Sequence, residues 1–451
     1  MKLLFLTFTC FAIGLANRVY IHPFQLFSAG DVACEDTKNK EKGPLETIYS
    51  LTTIQDSIDP DSQTQTEELE NLIHWTAVVA ELQNSLGLRM YESLSHKQQD
   101  VNILFSPYNA FGTLVTLYLG TSKSTANDYE DFLGLIWNTE KSVCSKLING
   151  HKVLRSLKAI SALSNGPQDK FRTQVWTFVS SDADLSKDFL HGIQQFSDTS
   201  FTRAVNFFQS KDAETQINSF IQKTSQSKTE NLFNNISQST KLLFASATYF
   251  KGNWQAAFQP EKTTVQDFRI GEKSTVKVPF MTHTGDYKHL SDPDKKCTVV
   301  KLGLGKQTYM MLVVPSEGAR LQDIENQLKT DTITTWNEHL KEQYLELSLP
   351  KFSLTAVTDL RSLLSDMSVD KFLLGSDTNF QRLSSKGNFT VDKVINKVFF
   401  EMSEEGKEVL KKSQDERVPL RLTVDRPFLF IIVEGNTNAI LMLGRILNPT
   451  L

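Results

Sequence analysis

Residue types that could do chemistry are plentiful in this chain, but their spacing does not assemble a catalytic site. Eight histidines, His22, His74, His96, His151, His191, His283, His289 and His339, are scattered along 451 residues. No HExxH helix and no GxSxG elbow occurs among them. His283 and His289 stand six apart, which fits neither a helical i,i+4 pair nor a strand face with a third ligand nearby. The segment from Gly303 to Lys306 lacks the Walker spacing and the dinucleotide glycine pattern, so it predicts no phosphate cradle. Carboxylates are abundant without any pair being brought together by sequence. The expectation is therefore no catalytic residue, no bound metal, no cofactor and no enzyme.

What remains is chemistry done to the chain. Met1–Ala16 has one early cation, Lys2, an apolar stretch from Leu3 to Ala12, and the small-residue ending Gly14, Leu15, Ala16. This pattern predicts a secretory signal peptide cut between Ala16 and Asn17. Removal of Cys10 with it leaves Cys34, Cys144 and Cys297 for an oxidising compartment. Three is odd, so one thiol stays unpaired, and none has CxxC or zinc-finger spacing. Asn235 and Asn388 head two N-x-S/T sequons that an exported chain could carry as glycosylation sites. A net charge of −4 offers no basic excess for a phosphate backbone, which argues against nucleic acid. No later run approaches 18 apolar residues, so membrane insertion is not expected.

The elements that must position any site begin late. Phe27 to Glu68 is polar and acidic, broken by Gly43-Pro44, Asp59-Pro60 and the run from Ser62 to Thr66, and predicts a tail. From Leu69 the spacing turns helical, with Leu72, Ile73, Thr76, Val79 and Ala80 on one face. Ser106-Pro107 predicts a helix start ahead of Phe111, Leu114, Val115, Tyr118 and Leu119. After about residue 240, β-like runs follow at Leu242–Phe250, Tyr309–Val314, Leu345–Leu349, Val394–Met402, Phe428–Val433 and Ala439–Arg445, the last two joined by a hairpin signal at Gly435–Asn438. Helices early and antiparallel strands late, without βαβ alternation or a repeat, predict an α+β body over 69–451.

Several segments together resemble the serpin family, in the family's order: Asn102 to Pro107, Leu242 to Trp254 with Tyr249, Phe250, Lys251 and Gly252, Val278 to Met281, Leu349 to Phe352, and Asp425 to Phe428. The resemblance implies a serpin fold of three β-sheets and eight or nine helices, with a reactive loop at about 406–426. It also pairs Cys34 with Cys144, leaving Cys297 as the odd thiol.

Asn17 to Leu26 reads Asn, Arg, Val, Tyr, Ile, His, Pro, Phe, Gln, Leu and resembles a vasoactive decapeptide that serpin-type precursors carry. Asn17 stands where many such peptides have Asp, and Gln25 where many have His. The resemblance implies a secreted plasma precursor cut by renin between Leu26 and Phe27. Angiotensin-converting enzyme then cuts the product between Phe24 and Gln25, and angiotensin receptors read the octapeptide, which controls blood pressure and salt balance. Physically, a decapeptide cannot bury a core, so it acts as a ligand. Pro23 fixes its own φ and biases His22 toward extended geometry. Arg18, Val19, Tyr20, Ile21, His22, Pro23 and Phe24 are the expected receptor contacts, the cation and rings being groups that dominate hot spots.

The alternative is an inhibitory serpin that traps a serine protease through the loop near Arg417 and Leu420. Trapping would thread the segment after the Glu404-Glu405-Gly406 hinge into the main sheet, burying alternate side chains. Here one parity buries Lys407 and Lys411 and the other Glu408 and Lys412, beside Val409, where inhibitors carry small residues. An unpaired buried charge costs several kcal/mol. The expectation is a non-inhibitory member.

Overall fold

The computed structural model describes residues 19–21, 63–137, 146–166, 170–225, 229, 231–271, 274–305, 307–384, 389–407 and 417–451. Its helices are α1 (Gln63–Lys97), α2 (Pro107–Gly120), α3 (Lys123–Leu133), α4 (Gly150–Leu163), α5 (Lys187–Phe196), α6 (Ser210–Thr224), α7 (Leu321–Glu325), α8 (Thr330–His339), α9 (Leu360–Asp366) and α10 (Asp370–Leu373). The first sheet runs in the order β1 (Val19–Ile21), β6 (Thr199–Val205), β5 (Lys170–Ser180), β7 (Leu242–Lys251), β14 (Lys393–Glu401) and β13 (Ser353–Asp359). The second runs β15 (Leu420–Thr423), β12 (Lys341–Pro350), β9 (Thr275–Asp292), β10 (Cys297–Leu304), β11 (Thr308–Pro315), β16 (Phe428–Glu434), β17 (Ile440–Ile446) and β2 (Ile103–Phe105), with β8 (Thr264–Arg269) also on β9. A ribbon of β3 (Ile136–Trp137) and β4 (Lys146–Leu147) stands apart.

Local sequence explains the main framework. Ser106 caps α2: its Oγ accepts the Asn109 amide at 3.2 Å while Pro107, which lacks an amide hydrogen, opens the helix. Nearly every residue of α2 is buried, because it crosses the core beneath the first sheet, where Thr113 Oγ1 meets Ser246 Oγ of β7 at 3.0 Å. β11, β16 and β17 are buried on both faces and accordingly read as continuous apolar runs. One hydrophobic core extends from Val78 to Ile446. A second cluster, with Trp176, Phe178, Ile217, Ile221 and Phe233, packs α6 onto the other face of the first sheet. Arg445 reaches Glu325 at 2.9 Å with both side chains sealed from solvent, and Tyr91 Oη donates to the same carboxylate at 2.6 Å. These bonds tie β17 to α7 and α1.

The architecture is the expected α+β arrangement, with helices packed on large sheets. β9, 18 residues long, pairs with β8 and β12 along most of its length and with β10 at its far end, so two of the expected sheets are continuous. Four expectations are corrected in detail. α1 starts at Gln63, inside the stretch read as tail; helix propagation along its polar first turns needs no apolar stripe. Strands precede residue 240, since β5 and β6 sit between helices and are buried by tertiary contacts. The late strands are not all antiparallel: β14 lies parallel to β7, and β15 parallel to β12. The peptide segment is also not wholly free of the body, because Val19–Ile21 is a strand paired with β6.

Candidate functional site: the peptide segment and the loop hinge

Of the ten residues from Asn17 to Leu26, Val19, Tyr20 and Ile21 are described. They lie antiparallel on β6, with Val19 opposite Arg203, Tyr20 opposite Thr202 and Ile21 opposite Phe201. β6 pairs with β5 on its inner side, so β1 occupies the outer edge of the sheet. Ala16, Asn17, Arg18, His22, Pro23, Phe24, Gln25, Leu26 and Phe27 lie outside the described residues, as do Cys34, Cys144, Asn388, Glu408, Val409, Lys411 and Lys412.

The hinge is fully placed as far as Lys407. Beyond β14 the chain runs beside the segment Trp254–Phe258. Trp254 N donates to Glu405 O at 2.9 Å, Lys407 N to Trp254 O at 3.0 Å, Ala257 N to Lys407 O at 3.1 Å, and Phe258 N to Glu404 O at 3.1 Å. The indole Nε1 of Trp254 adds a bond to Ser403 O at 2.7 Å. Gly406 is needed for this approach: a Cβ there would lie 2.5 Å from the Trp254 carbonyl oxygen. Side chains reinforce the contact. Lys351 Nζ meets Glu404 Oε2 at 2.6 Å, and Lys251 Nζ stands 3.3 Å from Glu405 and 3.5 Å from Glu401. Burial alone would raise the Glu404 carboxyl, but hydrogen bonds from Lys351 and the backbone, with the Lys351 charge, hold it below the usual glutamate range. β7 and β14 are directly paired from Leu243/Lys393 to Lys251/Glu401, so no strand stands between them.

The far end of the loop is anchored separately. Arg417 Nη1 and Nη2 bond the two carboxylate oxygens of Asp286 at 2.8 and 3.1 Å, and its guanidinium stands 4.3 Å from the Tyr344 ring centroid. Val418 beside it is 90% exposed, and Leu420 opens β15 opposite Leu345.

Other expected positions resolve simply. Cys297 is buried and unpaired, its thiol pushed up to about 12 by burial and then by the Asp292 charge, so it is a poor nucleophile. Asn235 is exposed in a left-handed turn at φ 54°. His283 and His289 sit on β9 at different cross-strand partners, Leu347 and Val300, and His283 Nδ1 is engaged by Tyr287 Oη at 2.6 Å. Sequence reading missed one histidine pair. His151 of α4 and His191 of α5, with ring centroids 5.6 Å apart, are bridged by the Gln195 amide, and only the packing of two helices brings them together. No group of three or more metal-ligating side chains occurs among the described residues, and no helix there is long and apolar enough to cross a membrane.

A two-sheet body with a reactive-loop hinge on the strand beside β7 defines the class of protein. The chain belongs to the serpin family: the family model for serpins, serine protease inhibitors, matches residues 81–449. Over nearly its whole length it is similar to angiotensinogen, being 27% identical to the human protein across 97% of this chain and 95% of that one. Rat angiotensinogen is 28% identical across 99% and 97%. Bovine Serpin A3-1 is 28% identical across 82% of this chain and 89% of its own. Among solved structures, mouse protein-Z dependent protease inhibitor superposes with a TM-score of 0.73 at 26% identity, covering 84% of this chain and 99% of that one. Uncleaved ovalbumin superposes at 0.74 with 22% identity, covering 82% and 100%.

Proposed function

We propose that this chain is a secreted, non-inhibitory serpin whose serpin body carries a vasoactive peptide at Asn17–Leu26. Renin cuts Leu26–Phe27 and angiotensin-converting enzyme cuts Phe24–Gln25 of the product. The octapeptide ending at Phe24 then acts on angiotensin receptors. The single observation that carries the reading is the difference in reach: similarity to angiotensinogens extends over 97 to 99% of the chain, whereas similarity to Serpin A3-1 covers 82%. An aspartic protease takes its substrate extended in a cleft, and the apolar pair Leu26-Phe27 suits such pockets. Protease trapping is disfavoured on this reading. Insertion must part nine β7–β14 residue pairs and then bury Lys407 and Lys411, or Glu408 and Lys412.

The test is digestion of the secreted protein with renin from a matched source and weighing of the products. A decapeptide of Asn17 to Leu26 is expected; an intact chain, or a cut elsewhere, defeats the reading. Incubation with trypsin-like proteases is expected to give no denaturant-resistant covalent complex.

A further inference from the structure

We infer that the pairing of Val19–Ile21 with β6 is a mask that holds only while it is tethered, so that cutting the chain both frees the peptide and uncovers it. The inference rests on reading Asn17–Leu26 as the active peptide.

An edge strand presents a row of unpaired amides and carbonyls, and adding an extended segment to it is a recurrent mode of peptide recognition. β1 does this to β6 through three residue pairs, and its register is antiparallel. Val19, Tyr20 and Ile21 are three of the seven residues from Arg18 to Phe24 expected to contact a receptor. A peptide whose backbone is committed to a sheet edge cannot simultaneously be wrapped by a receptor.

The strand is too short to hold on its own merits. Short two-stranded pairings are marginal in water, and each hydrogen bond gains little over its bond to solvent. Three pairs therefore correspond to a dissociation constant of about a millimolar or weaker. The covalent connection from Ile21 to the start of α1 at Gln63 supplies an effective concentration on the order of millimolar, comparable with that constant. The intact chain thus keeps the segment docked for much of the time. After the cut between Leu26 and Phe27 the tether is gone, and a free peptide at micromolar concentration or below occupies the edge roughly a thousandfold less. Release then needs no separate ejection step.

Hydrogen exchange on the intact protein and on the same protein after renin treatment tests this, following segments 17–26 and 199–205. Protection of both in the intact chain is expected, with exchange of the 199–205 segment rising about twofold after the cut, as an effective concentration comparable with the dissociation constant requires. Micromolar synthetic decapeptide should not restore protection. Unchanged exchange at 199–205, or a cut body that retains the decapeptide through gel filtration, would overturn the inference. A second arm does not depend on renin. The pair Tyr20→Cys with Thr202→Cys places two thiols directly opposite, and Tyr20→Cys with Ala204→Cys sets them out of register. Mass mapping should find the 20–202 disulfide in clear excess over the 20–204 one, and equal yields would sink the strand. If renin releases no decapeptide from the unmodified chain, the precursor reading fails, and the cross-link still decides the strand.

Discussion

The strand at Val19–Ile21 and the hinge at Glu404–Lys407 both dock by backbone pairing, yet they are held very differently. The strand meets one neighbour through three residue pairs at the rim of a sheet. The hinge has four backbone hydrogen bonds to Trp254–Phe258, an indole donor, ion pairs to Lys351 and Lys251, and a glycine where a side chain would strike a carbonyl. Backbone bonds alone each contribute about 1 kcal/mol net, whereas close packing and bonds to charged groups add to them. The segment proposed to leave is lightly attached, and the segment that would have to move for protease trapping is fastened.

Substitutions separate the two regions. The largest effect is expected for Gly406→Val, whose side chain meets backbone that cannot retreat: a loss of about 1–3 kcal/mol, read as a lowered melting temperature. An unchanged melting temperature would show that the hinge does not bear on the body. Next comes Asp286→Asn, which releases Arg417. An exposed bidentate pair is worth about 1 kcal/mol, so trypsin should nick Arg417–Val418 roughly fivefold faster. The nicked protein should show no sharp rise in melting temperature; a large rise would restore the inhibitor reading. Lys351→Met should cost about 1 kcal/mol at most, since Lys351 is partly exposed. Its signature is in pH. The Glu404 carboxyl is depressed in the folded state, so its contribution is complete above the ordinary glutamate value near 4.3 and is lost as pH falls through the folded value. The variant should lose stability less steeply on the acid side than the parent in denaturant titrations. Smallest of all, deletion of Asn17–Ile21 should change the unfolding free energy from denaturant titration by no more than about 0.5 kcal/mol, because three edge pairs fix little of the core. A large loss there would erase the contrast between the two regions.

The readable parts of the fold were those with strong local signals. Ser106-Pro107 announces α2 because a cap and a missing amide suffice to start a helix. The runs at Phe428–Val433 and Ala439–Arg445 announce β16 and β17, with Asn438 at φ 58° turning the hairpin between them. β5 and β6 were not read, since their burial comes from α6 and α2 packing onto opposite faces of the sheet. Of the candidate site, Gly406 and the charged hinge were legible as a departure from small residues. The partners of that hinge were not: Lys351 lies 53 positions before Glu404, and Asp286 lies 131 before Arg417.

Sequence by itself determined the residue character of the two ends: a ten-residue stretch, Asn17–Leu26, that resembles a peptide ligand and follows a small-residue ending, and a run of charged residues after Gly406. Those are properties of side-chain type and order, which need no partner to exist. Tertiary structure alone decided that β7 lies directly against β14, that the hinge lies along Trp254–Phe258, and that Val19–Ile21 takes the outer edge of β6. Strand pairing is made between backbones distant in sequence and carries almost no side-chain signature, so only the folded chain could choose which edges meet.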